Sequence, residues 1–120
     1  MGVILLRNYF VGTTKGVDFI PILHDVRLCL KEAQLKEGLV TISIPAEGAS
    51  LTIAQAKNTN GATHRSLSLP FQGGELLLAP KQMIYLVDQG ASGKRREFYV
   101  QVMGEKEGPP PRGGPRRTSR

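Results

Sequence analysis

The feature that most narrows what this chain can fold into is a change of hydrophobic period at Gly38. Across residues 21–37, Ile22, Val26, Cys29, Leu30 and Ala33 recur at spacings of three and four, the period of an amphipathic helix. Pro21 suits its first turn and Gly38 its C-cap. Beyond Gly38 the period falls to two. Val40, Ile42 and Ile44 alternate with Thr41 and Ser43, and Leu51 and Ile53 with Ser50 and Thr52, as in half-buried strands.

Alternation resumes with Leu67, Leu69 and Phe71, and Gln72-Gly73-Gly74 then predicts a hairpin into Leu76-Leu77-Leu78. Residues 83–87 and 97–102 read as two further strands, joined by the glycine-containing residues 89–93. Ahead of the helix, residues 3–11 and 17–20 read as strands joined through Thr13-Thr14-Lys15-Gly16, a predicted hairpin. Residues 57–63 are polar and aperiodic, a predicted loop. The expected fold is α+β: a β-rich, two-sheet, sandwich-like subunit of about eight short strands, with one main helix packed on a sheet.

With 120 residues, 40% of them hydrophobic, there is material for one core and one domain. The net charge of +6 divides equally: eleven Lys/Arg against eight Asp/Glu in residues 1–103, and five against two in 104–120. The second segment is rich in Pro and Gly and has no aliphatic or aromatic residue. It is expected to be a disordered basic tail behind a domain of residues 1–103. Its arginines suit weak, salt-sensitive contact with nucleic acid, without aromatics to stack bases. No run of about 18 apolar residues is present, so neither a membrane span nor a signal peptide is expected, and a cytoplasmic location follows.

Cys29 is the only cysteine and can form no internal disulfide. His24 lies five positions earlier, about 140° away around a helix, so the two face apart and Cys29 reads as a small buried side chain. With only two histidines, a zinc site would need carboxylates such as Glu47 or Asp25 to converge, and no metal or cofactor is expected. Gly12-Thr13-Thr14-Lys15-Gly16 lacks the spacing and following helix of a P-loop. Lys94-Arg95-Arg96 alternates between strand faces and reads as a solvated edge.

Several segments resemble the YjbQ family of secondary thiamine-phosphate synthases. The most specific are Ser66-Leu67-Ser68-Leu69-Pro70-Phe71, Gly74-Glu75-Leu76-Leu77-Leu78 and Gln82-Met83-Ile84-Tyr85-Leu86-Val87-Asp88. Residues 13–20, Asp25-Val26-Arg27, residues 35–41, Arg95-Arg96 and Val100-Gln101-Val102 fit in the same order. The likeness covers most of residues 8–103. It implies a compact β-rich subunit, assembly as a homotrimer, and a phosphate-bearing small-molecule substrate.

The departures fall on the chemistry. Where the family carries histidine after the proline of a strand, this chain has Ala46 after Pro45; where it carries Asn-Glu, the chain has Ala54-Gln55. The family's helical insertion and Asn-Ala-Asp-Ala-His motif are reduced to residues 58–65, with His64 set closer to Ser66 and no aspartate beside it. Its Gly-Thr-Trp-Gln stretch is Ala79-Pro80-Lys81-Gln82. The candidates that remain are His64 and Glu47 for catalysis, and Arg65, Lys81 and Gln82 for ligand binding. Joining a pyrimidine diphosphate to a thiazole phosphate requires groups that stabilise departing diphosphate, and losing one such donor costs about 10²–10³ in rate. The expectation is a YjbQ-like protein degenerate for that reaction. The alternatives are an enzyme with a rearranged site built from His64, Glu47 and Lys81, and a nucleic-acid accessory protein acting through the tail.

Overall fold

The computed structural model describes residues 2–13, 16–55, 63–90 and 95–106. The Thr14-Lys15 part of the first predicted turn, nearly all of the 57–63 loop, residues 91–94 with Lys94, and the tail from 107 onward lie outside the described residues.

Eight strands and one helix follow in the order β1 (Val3–Gly12), β2 (Asp18–Pro21), α1 (Leu23–Ala33), β3 (Glu37–Ser43), β4 (Ala49–Ala54), β5 (Ser66–Gln72), β6 (Glu75–Leu76), β7 (Met83–Asp88) and β8 (Arg95–Glu105). They build two antiparallel sheets, ordered β1-β8-β3-β5-β6 and β2-β7-β4. The α+β sandwich expected from the period change is the observed fold. Alternate residues of each sheet meet in one core: Val40 and Ile42 of β3, Phe98, Val100 and Val102 of β8, Leu51 of β4, Ile84 and Leu86 of β7. Helix α1 adds Leu23, Val26, Cys29 and Leu30 and touches β1, β6, β7 and β8. As the periodicity requires, Cys29 is buried and His24 exposed. No helix among the described residues is long and apolar enough to cross a membrane.

Pairing departs from expectation at the front of the chain. β1 and β2 do not form a hairpin: β1 pairs with β8 and β2 with β7, in different sheets. Alternation fixes which face of a strand is buried, and leaves its partner open. The Gly73-Gly74 hairpin between β5 and β6 forms as expected. Pro21 is not in the helix; it ends edge strand β2 opposite Tyr85, where a missing N–H is tolerated. The helix stops at Ala33, and Gln34 caps it in the left-handed region at φ 55°.

Gly38 therefore serves a different purpose. It lies in β3 directly opposite Gly104 of β8, and a Cβ on either glycine would overlap the facing backbone, at Met103 O and Glu37 O respectively. Only paired glycines let the strands approach this closely. β8 thus stays in the sheet through Glu105, two residues past the expected domain boundary.

The chain passes repeatedly from one sheet to the other, and the crossing from β4 to β5 bears on the site. His64 bridges Leu51 of β4 through backbone hydrogen bonds of 2.8 and 2.6 Å. Two residues later β5 pairs with β3 in the other sheet. Arg65 is the pivot.

Candidate functional site

The region in which the resemblance would place a reaction centre is the turn at residues 45–48, between β3 and β4. Ala46 and Glu47 are exposed there. Arg65 approaches from the layer crossing and donates from Nε to Ile44 O at 3.3 Å and from Nη2 to Pro45 O at 3.1 Å. The Ile44 N–H donates back to Arg65 O at 2.9 Å. Two faces of the guanidinium are thereby spent on main chain.

On its other side the turn rests on a buried ion pair. The Asp88 carboxylate at the end of β7 is fully buried. Arg96 of β8 reaches it from the opposite sheet, with Nε 3.1 Å from Oδ2 and Nη2 3.5 Å from Oδ1. Its Nη1 donates to Glu47 O at 3.2 Å, and the Gly90 N–H donates to Asp88 Oδ1 at 2.9 Å. Gln89 N–H donates to Gly48 O at 2.9 Å. At Gly48, with φ 93°, a Cβ would lie 2.7 Å from Arg96 Nη2, so glycine clears the path of the guanidinium.

This corrects the reading of residues 94–96 as a solvated edge. Arg95 does lie outside, its Cζ 4.2 Å from the Phe10 ring centroid, whereas Arg96 enters the layer between the sheets. The signal was present in parity: Arg96 shares a strand face with Phe98, Val100 and Val102, and Asp88 shares one with Ile84 and Leu86. A cation and an anion at inward positions of facing strands belong together.

The remaining candidates lie elsewhere. The register runs from Ala49 opposite Asp88 to Ala54 opposite Met83, roughly 16 Å of strand at 3.3 Å per residue. Glu47 precedes the first pair; Gln55, Lys81 and Gln82 adjoin the second. His64 is exposed midway, beside Leu51. Lys81 is exposed and holds φ 70°, while the half-buried Gln82 closes a turn through its N–H to Ala79 O at 3.1 Å. The turn at 45–48 thus gathers Glu47, Arg65, Asp88 and Arg96, with both cations engaged, and leaves Lys81 and Gln82 at the far end. Among the described residues no group of three His, Cys, Asp or Glu side chains is arranged to hold a metal ion.

Three perturbed proton equilibria lie away from this turn. Tyr9, stacked on Phe98 with ring centroids 5.5 Å apart, is pushed up to about 12, chiefly by burial. Burial also raises the Cys29 thiol, against a hydrogen bond from Tyr9 that lowers it. The Arg7 guanidinium is raised by its hydrogen-bonded pairing with Glu32.

No family model matches the chain, and no curated protein does. Solved structures do share its architecture. A YbjQ-like protein of unknown function from Sulfolobus solfataricus P2 is similar with a TM-score of 0.75 and 14% identity, over 88% of this chain and 100% of that one. A hypothetical protein from Aeropyrum pernix K1 gives 0.74 and 17%, over 84% and 99%. An uncharacterised conserved protein of the YjbQ family from Clostridium acetobutylicum gives 0.70 and 16%, over 80% and 98%. Identities this low establish a shared fold.

Proposed function

We propose that this chain is a divergent member of the YjbQ family that keeps the subunit scaffold and lacks thiamine-phosphate synthase activity. The observation that carries the reading is the state of the turn at residues 45–48. The family's histidine position there holds Ala46, the cations Arg65 and Arg96 beside it are committed to carbonyls and to Asp88, and at the far end of β4 the glutamate position holds Gln55. Departing diphosphate needs converging donors that are free to meet it. The separation of Lys81 from Glu47 along the β4–β7 pair weighs against a rearranged site built from both.

Purified protein incubated with the pyrimidine diphosphate and the thiazole phosphate is expected to form no thiamine phosphate. Turnover that disappears in His64→Ala would overturn the proposal and establish the rearranged enzyme instead.

The scaffold also carries a surface suited to self-assembly. Ile4, Met103, Leu39 and Pro70 stand directly opposite one another across β1, β8, β3 and β5 on the outer face of the larger sheet. The first three are 64%, 42% and 40% exposed, and Pro70 is also exposed. An apolar row of this kind on a sheet's outer face is an association surface, and a homotrimer is the assembly we propose for it.

A further inference from the structure

We infer that the groove between the C-terminal half of α1 and the β5–β6 hairpin is a binding site for a small amphiphilic carboxylate, one anionic head on a short apolar body. A cavity of about 530 Å³ opens there, away from the turn at 45–48, within the size range of small-molecule sites. Its floor is apolar, made by the buried Leu30 and Leu35 and the half-buried Leu76.

Its rim carries Arg27 and Lys31. Four residues apart, they lie one turn apart on the same helix face. Both are exposed, and neither takes part in an ion pair or side-chain hydrogen bond among the described residues. A guanidinium and an ammonium side by side over an apolar floor select a ligand whose charge sits at one end. Across the groove stands the exposed Glu75. Its carboxylate repels a second negative charge, which favours a monoanion over a phosphate monoester dianion.

The walls are fixed relative to each other. The Gly74 N–H donates to Lys36 O at 3.0 Å, tying the hairpin turn to the segment that follows the helix. The Gln34 N–H closes the last helical turn on Lys31 O at 3.2 Å. The groove is therefore formed before any ligand arrives.

The test is a titration of ¹⁵N-labelled full-length protein with sodium octanoate, below its micellar concentration, followed by amide chemical shifts. Saturable shifts are expected at Gln34, Leu35, Gly74 and Glu75. Affinity should fall at least about tenfold in the Arg27→Gln/Lys31→Gln double variant, whose surface position lets its amide spectrum report an intact fold. Octylamine should bind far more weakly than octanoate. Glu75→Gln should narrow the preference for octanoate over octyl phosphate. Three results would each overturn the inference: no saturable shifts in the millimolar range, unchanged binding by the double variant, or shifts centred on Ile4, Leu6 and Leu39. Tighter binding of octyl phosphate than of octanoate by the unaltered protein would overturn the assignment to a monoanion.

Discussion

Arg96 holds three parts of the molecule with one side chain: Asp88 at the end of β7, the carbonyl of Glu47, and its own strand β8. Removing one member of such a buried pair takes away the counter-charge that the other was buried against. Arg96→Ala or Asp88→Asn should therefore cost about 3–5 kcal/mol in urea unfolding. The double variant Asp88→Leu/Arg96→Met removes both charges and should recover much of that loss. A single-variant cost within about 0.5 kcal/mol, the usual size for a surface site, would show the clasp to be dispensable. By contrast, the exposed Arg7–Glu32 pair, at 3.1 Å through Nε, should contribute little.

Tyr9 makes a second prediction at this scale. Its phenol ionises near 10.0 in the unfolded chain and is pushed up to about 12 in the folded one. A raised acid stabilises the fold fully below its unfolded value, and that contribution is lost as pH rises through the folded value. Stability should thus fall between about pH 10 and 12, and Tyr9→Phe should flatten that part of a urea-midpoint profile against pH.

At the scale of elements, the helix ends on a side chain where glycine would be easier. Gln34 sits at φ 55°, a conformation that disfavours residues with a Cβ. Gln34→Gly should raise stability by about 0.5–1 kcal/mol, read as a higher thermal midpoint. Gly38→Ala should do the reverse, costing about 1–3 kcal/mol as its methyl group meets Met103 O.

These positions also mark how far the sequence could be read. The helix face carrying Val26, Cys29 and Leu30 and the alternating strands around Val40, Leu51 and Leu69 were legible, because each period reports a buried face directly. The partners of β1 and β2 were not: β1 finds β8 some ninety residues along, at Asn8 opposite Tyr99. A turn-like Thr13-Thr14-Lys15-Gly16 next to two strands looks like a hairpin whatever the sheets later do. At the candidate site, the replacements Ala46 and Gln55 could be read from the chain. The clasp beside Ala46 was legible only in part: alternation puts Arg96 on one face with Phe98 and Val100, but that this face looks inward onto Asp88 depends on how the two sheets pack, which no period reports.

For the whole molecule, the apolar row from Ile4 through Met103 and Leu39 to Pro70 leads to an assembly test. Sedimentation at micromolar concentration should give a trimer, and Leu39→Lys, which puts charge in the middle of the row, should shift it towards monomer with the fold retained. A stable monomer for the unaltered protein would reject the assembly.

The threading of the larger sheet reaches into how the protein is made. β8 lies between β1 and β3 and is the last of the described strands to be encoded. While the ribosome works through the preceding residues, β1 waits without a neighbour, and Leu5, Tyr9 and Val11, which pack against the core in the finished fold, have nothing to cover them. The sheet can be completed only when residues 95–105 have left the exit tunnel, so its ordering should come all at once, as those residues emerge and β8 enters between β1 and β3.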